Sequence, residues 1–516
     1  MPSYLSPGVY VEEVAAGSRP IEGVGTAVAA FVGFAPQGPF HRPTLVTNWG
    51  QYTQIFGEFA ENCYLAHAVY GFFLNGGGTC YVVRVGGERT EDADGGNGDN
   101  RAVAAAPQAT LGGYRFVARE LPAAGAKTGD ISVEVSEATG DGAGEDRYTV
   151  VVKQGGKPAE THEVTTKRGK DNVVTVVREK SKLINVEEVT TGTGLAKGTV
   201  ALRPAAAPAP IPQEVVADDY VGDVAERTGF GGLEAVDEVT MVAVPDLMSA
   251  YRRNGVDLET VKAVQLAMIA HCELMGDRMA ILDAPPGLSP QQVKEWRTDL
   301  AGYDSKYAAL YYPWIRVFDP ATGTNEYMPP SGHIGGIWAR NDASRGVHKA
   351  PANEVVRGAI SLATQVTKNE QDLLNPIGVN CIRTFPGRGV RVWGARTLSS
   401  DPAWRYLNVR RLFNYLEESI LAGTQWVVFE PNDDALWARI RRTISAFLVM
   451  EWRKGALFGL TPDEAFFVRC DRATNPAEAI DAGQVTCEIG VAPVKPAEFV
   501  VFQLAQISGG TSLVNE

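Results

Sequence analysis

Apolar residues recur along this chain both as unbroken runs and at helical spacing, and the two patterns predict different elements. Continuous runs in "TAVAAFVGFAP", "TCYVVRV", "DEVTMVAVPDL", "RMAILDAPPG" and "SKYAALYYPWIRVFDP" predict buried strands. Helical spacing predicts helices over "NCYLAHAVYGFFLNGGG", over residues 258–275, and over "SPQQVKEWRTDL", where Ser289 is the N-cap and Pro290 takes the first helical position. Strands alternating with helices imply an α/β fold built on a largely parallel sheet.

The alternation breaks at "GGERTEDADGGNGDNRAVAAAPQ", a linker by composition, and resumes after a second breaker, "RPAAAPAPIP". Between them lie "YRFVARE", "DISVEVSE", "DRYTVVVKQGGKPAETHEVTT" and "DNVVTVVREK", short runs that read as strands, with "QGG" as a hairpin tip. Two low-complexity boundaries around such a segment predict an inserted all-β domain over residues 87–215. The flanking segments, 26–86 and 216–379, then form one discontinuous α/β domain.

From residue 380 the texture changes. "GVNCIRTFPGRGVRVWGARTL" predicts two strands around a turn at Pro386-Gly387, followed by long helices over 404–422 and 433–455. "AFFVRCD", "QVTCEIGVAP" and "AEFVVFQLAQI" predict strands at the end of the chain. At the other end, "LSPGVYVEEV" predicts a strand containing Val9, Tyr10, Val11 and Val14, with no hairpin partner at turn distance. An unpaired edge is a liability, so this strand needs a partner from elsewhere.

The length of 516 residues is enough for roughly three domains at about 150 residues each. With 48 Lys plus Arg against 61 Asp plus Glu, the net charge of −13 disfavours nucleic acid or an anionic membrane as the main partner. No apolar run is long enough for a membrane span, and "MPSYLSPGVY" has no signal-peptide pattern, so a chain made and folded in a cytoplasm is expected. The six cysteines have neither CxxC pairing nor metal-ligand spacing and read as buried free thiols.

Catalytic signatures are sparse. No P-loop, GxSxG elbow or HExxH motif occurs, and the glycines of "RTGFGG" and "FPGRGVRVWG" read as turns. His271 lies on an apolar helix and reads as a packed, hydrogen-bonded histidine. The segment "PPSGHIGGIWARNDASRGVHKAPAN" is the one most like an active-site loop, with His333, Asp342 and His348 as the acid–base set of an enzyme alternative that lacks a nucleophile. Asp283, at a strand C-terminus, fits either a ligand site or a helix cap. The reading is of no catalytic residue, no cofactor and no metal.

Charge is unevenly placed. Between residues 380 and 455 there are twelve Lys plus Arg and seven Asp plus Glu, against the negative balance of the whole chain. On the helix from residue 433, Leu436, Ile440, Ile444 and Phe447 share one face, while Arg439, Arg442 and Arg453 share the opposite one with Ala446 and Val449 between them. That face is either solvated or a docking surface for an acidic partner, weak per subunit and screened by salt.

Taken in order, "SPGVYVEEV", "AAFVGFAPQGP", "GLEAVDEVTMVAVPDL", "LNPIGVNCIRTFPGRGVRVWGARTL", "WRYLNVRRLFNYLEESI", "WVVFEPND" and "KPAEFVVFQLAQ" resemble the tail sheath proteins of contractile phage tails and related contractile injection systems. The resemblance covers the chain outside the insertion. It implies a structural, non-enzymatic subunit with an α+β sheath core, residues 1–25 and 496–516 as arms adding strands to neighbouring subunits, and a C-terminal domain over 380–495 facing an inner tube. Val9, Tyr10, Val11 and Val14 would carry one arm and Phe499, Val500, Val501, Phe502 and Leu504 the other; Arg439, Arg442 and Arg453 would face the tube. Implied partners are other copies in stacked six-membered rings, the inner tube protein, and baseplate and terminator or cap proteins. Nucleic acid and membrane insertion are not among them. The implied place is a phage tail or tail-like particle assembled in a bacterial cytoplasm, with the sheath of an intracellular, type VI-like secretion apparatus as the alternative.

Overall fold

The computed structural model describes residues 20–86, 108–119, 131–137, 146–155, 157–167, 169–188, 194–202 and 215–503. Val9, Tyr10, Val11, Val14 and Leu504 lie outside them. Contacts divide the chain into two units, residues 1–88 with 211–516, and residues 89–210.

The larger unit is organised by an eight-stranded sheet. Its strands are β1 (Val28–Gly33), β2 (Thr44–Val46), β3 (Thr79–Arg84), β4 (Met241–Ala243), β5 (Met279–Asp283), β6 (Ala308–Tyr312), β7 (Val379–Phe385) and β8 (Gly389–Val392), in the order β8-β7-β6-β5-β4-β1-β3-β2. Pairing is parallel from β7 to β3 and antiparallel at both edges, where β8 and β2 sit. Burial on both faces explains the continuous apolar runs: every residue of β4, β5 and β6 is buried. In β1, Val28 lies opposite Thr79 and Ala29 opposite Met241, so segments from both sides of the inserted unit share one ladder.

Two expectations about this sheet are corrected. The hairpin β7–β8, assigned from sequence to the C-terminal domain, belongs here: Leu310 of β6 lies opposite Val379, and the proposed boundary at residue 380 falls inside a strand. Apolar pattern identifies a buried strand without saying which sheet receives it. "SKYAALYYPWIRVFDP" is two strands, because Pro313 has no N–H to continue the ladder. Beyond it, Ile315–Asp319 joins a separate antiparallel sheet with Thr324–Met328 and Ser361–Leu362.

The helices over the sheet begin with α1 (Leu65–Asn75), closed by Gly76 at φ +111°, and α2 (Leu258–Met275), whose N-cap Asp257 accepts from the Thr260 N–H at 2.8 Å. Ser289 and Pro290 start a short helix as expected. Asp246, fully buried, accepts hydrogen bonds from the backbone N–H groups of Phe34, Tyr64 and Leu65, which ties the end of β1 to the start of α1.

Helix α3 (Ser331–Arg345) is the segment that resembled an active-site loop. Its glycines have another purpose. A Cβ on Gly332 would overlap the Ala68 backbone, and one on Gly336 would overlap the Phe72 carbonyl. Gly332 and Gly336 lie one turn apart on the face crossing α1, so the two backbones approach closely.

The C-terminal part of this unit contains α4 (Leu407–Gly423), α5 (Asp434–Arg453) and a two-stranded ribbon of β9 (Phe466–Arg469) and β10 (Glu488–Val491). Leu412 and Leu416 of α4 pack with Leu436, Ile440, Ile444 and Phe447 of α5, the face read from the helical spacing.

The smaller unit has its own core, with Phe116, Val133, Val150, Val152, Val173 and Val177 fully buried. It contains a three-stranded sheet (Gln108–Leu111, Tyr114–Ala118, Ile184–Glu188) and a four-stranded one (Ile131–Glu137, Arg147–Gln154, Lys157–Thr165, Gly198–Ala201). The hairpin tip falls between Gln154 and Lys157, with Gly155 at φ +57°. The all-β expectation is corrected by Val173–Lys180, which is a helix. Its β-branched run favours a strand, but Asn172 caps it by accepting from the Val174 N–H at 3.0 Å, and Val173, Val176 and Val177 are buried at helical spacing.

Candidate assembly surfaces

The residues of the enzyme alternative have separate structural partners. His333 is buried between α1 and α3, its ring against Gly71, and burial together with His67 pushes its pKa down to about 4. Asp342 accepts from Arg411 at 2.9 and 2.5 Å and from the Thr26 hydroxyl at 2.7 Å. His348 lies after α3, and burial lowers its pKa too. Asp283 accepts from the Ser331 N–H at 3.0 Å and so caps α3. Burial raises its carboxyl to about 7, against the lowering effect of hydrogen bonding from Ser331. His271 packs beside Arg278, whose Nη1 is 3.4 Å from Nε2, and burial followed by that positive charge pushes it to about 4. Among the described residues no group of three or more His, Cys, Asp or Glu could hold a metal ion, and no helix is long and apolar enough to cross a membrane.

What the surface does present lies in the C-terminal part. On α5, Ala435, Arg442, Ala446, Met450 and Arg453 point outward, opposite the packed face. Arg442 and Arg453 make no ion pair among the described residues. Arg439 differs: it is half-buried, donates to Glu430 at 2.7 Å, and lies 4.5 Å over the Trp426 ring. Sequence projection grouped all three arginines because it cannot see Glu430 and Trp426, which return from the loop before α5.

The ribbon β9–β10 is short and has no third strand among the described residues. Phe466 lies opposite Val491 and Phe467 opposite Gly490, with Phe467 exposed. Two strands alone are marginal in water, and a strand edge without a neighbour presents unpaired backbone groups.

The chain then runs to Glu498, which is held by Arg396 at 2.8 and 2.5 Å and by Asn375 at 3.0 Å. Burial acts to raise its pKa, but these hydrogen bonds and the Arg396 charge prevail and leave it below the ordinary value. Past this clamp, Phe499, Val500, Val501 and Phe502 are 66–84% exposed and join no strand among the described residues. Four consecutive exposed apolar residues form a patch of the kind that marks an interaction surface.

Residues 215–398 match the phage tail sheath protein central domain, and residues 399–507 match the phage tail sheath C-terminal domain. The tail sheath protein of Vibrio phage KVP40 is 26% identical over 243 residues, which are 44% of this chain and 35% of that protein. A putative prophage major tail sheath protein of Pseudomonas aeruginosa is 28% identical over 226 residues, 43% of this chain and 55% of that one. The matches therefore span about a third to a half of these relatives. In fold, the chain is similar to the contracted sheath complex of the extracellular contractile injection system PVC, with a TM-score of 0.59 and 24% identity over 98% of this chain and 99% of that one. The contracted helical sheath of the anti-feeding prophage gives 0.58 and 25%, over 97% and 99%. Relatives and neighbours alike carry the names of structural sheath proteins. With both family domains in order from residue 215 to residue 507, the chain belongs to the phage tail sheath family.

Proposed function

We propose that the chain is the contractile sheath subunit of a phage tail or phage tail-like particle. The observation that carries this reading is the succession of central and C-terminal sheath domains on a fold similar to injection-system sheaths along nearly its whole length. Copies assemble as six-membered rings stacked helically around an inner tube, between a baseplate and a terminator or cap, in the cytoplasm of a bacterium. Residues 1–25 and 496–516 act as arms that add strands to neighbours, with the open edges of β9–β10 as the receiving site. Arg442 and Arg453, with Arg439 beside them, face the tube.

The physics of the arms favours a lattice over a dimer. A backbone hydrogen bond contributes about 1 kcal/mol net, while ordering costs about 1–2 kcal/mol per residue. One arm is therefore marginal, and apolar side chains with multivalent attachment supply the balance. A head-to-tail contact that does not close on itself produces a helical tube. Contraction then draws on the difference in free energy between two packings of the same subunits, with no nucleotide and no cofactor.

Negative-stain microscopy of the purified chain tests this. Tubes or stacked rings are expected, and a monomer persisting over a wide concentration range overturns it. Deleting residues 1–17 leaves the fold intact and abolishes polymerisation; tubes that persist remove the arm assignment.

A further inference from the structure

We infer that helix α4 is the common anchor of both terminal segments, so that one helix couples the two arms of a subunit. The inference rests on the sheath reading above and adds how a subunit joins its arms.

The N-terminal root runs along one face of α4. Thr26 accepts on its carbonyl from Arg411 at 3.1 Å. The Val24 N–H donates to the Ser419 hydroxyl at 3.1 Å, and that hydroxyl donates onward to the Tyr415 carbonyl at 2.6 Å. Gly23 lies so close to Tyr415 that a Cβ would overlap its phenol oxygen. Ile21 is buried in the α4–α5 core against Gly423, where a Cβ would come within 2.6 Å of the isoleucine Cγ1. Arg411, Tyr415, Ser419 and Gly423 recur every fourth residue, so they form one continuous track. Residues 21–26 follow it antiparallel to the helix.

The C-terminal root meets the other end of the same helix. Asn408, in the first turn of α4, donates to the Val494 carbonyl at 3.1 Å. Tyr406, the residue before that turn, donates to Glu498 at 3.4 Å, beside the Arg396 clamp. The two roots thus share a rod of 17 residues, about 25 Å long.

The rod is itself fixed. The Arg410 guanidinium lies 4.5 Å over Trp404 and 4.9 Å over Tyr307, and Arg411 lies 4.7 Å over Trp338 while paired with Asp342. Sliding α4 would separate a buried ion pair, which is strongly disfavoured. Helix α4 therefore ties the two roots to each other, alongside their separate ties to the sheet through Thr26 and Thr240 at one root and through Arg396 and Asn380 at the other.

The test uses full-length variants with both arms whole: Ser419→Ala at one root, Glu498→Gln at the other, and the double variant Ser419→Ala/Glu498→Gln. Tubes are dissolved in urea and followed by light scattering, while unfolding of the free subunit is followed by circular dichroism. The expected result is native-like unfolding for Ser419→Ala and Glu498→Gln, with tubes that form but dissolve at lower urea. Because both roots bear on one helix, loosening one already loosens the other, and the double variant shifts by less than the sum of its singles. Tubes with an unshifted midpoint, or shifts that add in the double variant, overturn the inference. If the native chain forms no tubes, the sheath reading falls and this inference falls with it.

Discussion

Arg411 of α4 forks onto Asp342 of α3, two nitrogens on two carboxylate oxygens, with each side chain only 4% exposed. Removing one partner strands the other charge away from water, a loss of about 3–5 kcal/mol. Asp342→Ala should lower subunit stability by that amount in urea denaturation. The apolar pair Asp342→Leu/Arg411→Met should recover most of it, and a double variant as unstable as the single would show that the contact is more than an ion pair.

Titration of Asp283 gives a second expectation. Its folded-state value of about 7 lies above its ordinary value, so the stability it contributes is complete below about pH 4 and is lost as pH rises through about 7. Asp283→Asn keeps an acceptor for the Ser331 N–H without the ionisation. Its stability relative to the native chain should therefore rise between pH 5 and pH 8, measured by denaturation at both.

His333 works in the opposite direction. Its value of about 4 lies below the ordinary histidine value, so its contribution is present above about pH 6.5 and is lost as pH falls toward 4. His333→Gln should flatten the stability profile across that window; an unchanged slope would assign acid sensitivity to other groups.

Close approach of α1 and α3 makes Gly336 intolerant of any side chain. Gly336→Val should cost more than about 3 kcal/mol, beyond ordinary overpacking. Gly78→Ala, where a Cβ meets nothing within 4 Å, should leave stability near native.

Charge reversal on α5 separates its three arginines. Arg442→Glu/Arg453→Glu should weaken co-sedimentation with the inner tube while changing subunit stability by less than about 0.5 kcal/mol, as for exposed positions generally. Arg439→Glu should also lower stability, since it removes the partner of Glu430 and Trp426.

The sheet was legible because strands buried on both faces leave uninterrupted apolar runs, as in "RMAILD" and "YAALYY". The packed face of α5 was legible because helical spacing survives in the sequence. Hydropathy could not assign β7 to its sheet, since that depends on a partner about 70 residues earlier in the chain. It misread α3 because glycine weakens a helical signal, while the reason for Gly332 and Gly336 is a neighbouring backbone. Of the candidate surface, the outward position of Arg442 and Arg453 followed from projection alone. The tie on Arg439 did not, because its partners are held in a loop.

The hydrogen bond from Phe34 to Asp246 joins residues 212 positions apart, and β1 meets β4 across the same interval. A ribosome adding about 5–20 residues per second takes roughly 10–40 s to supply the second half of that contact. For that interval β1, joined partway through by β3, waits with an apolar edge open, while the smaller unit emerges with a core of its own. The order of synthesis thus lets the insertion mature early, and leaves the newborn sheet in need of protection until its remaining strands, β4 to β8, emerge.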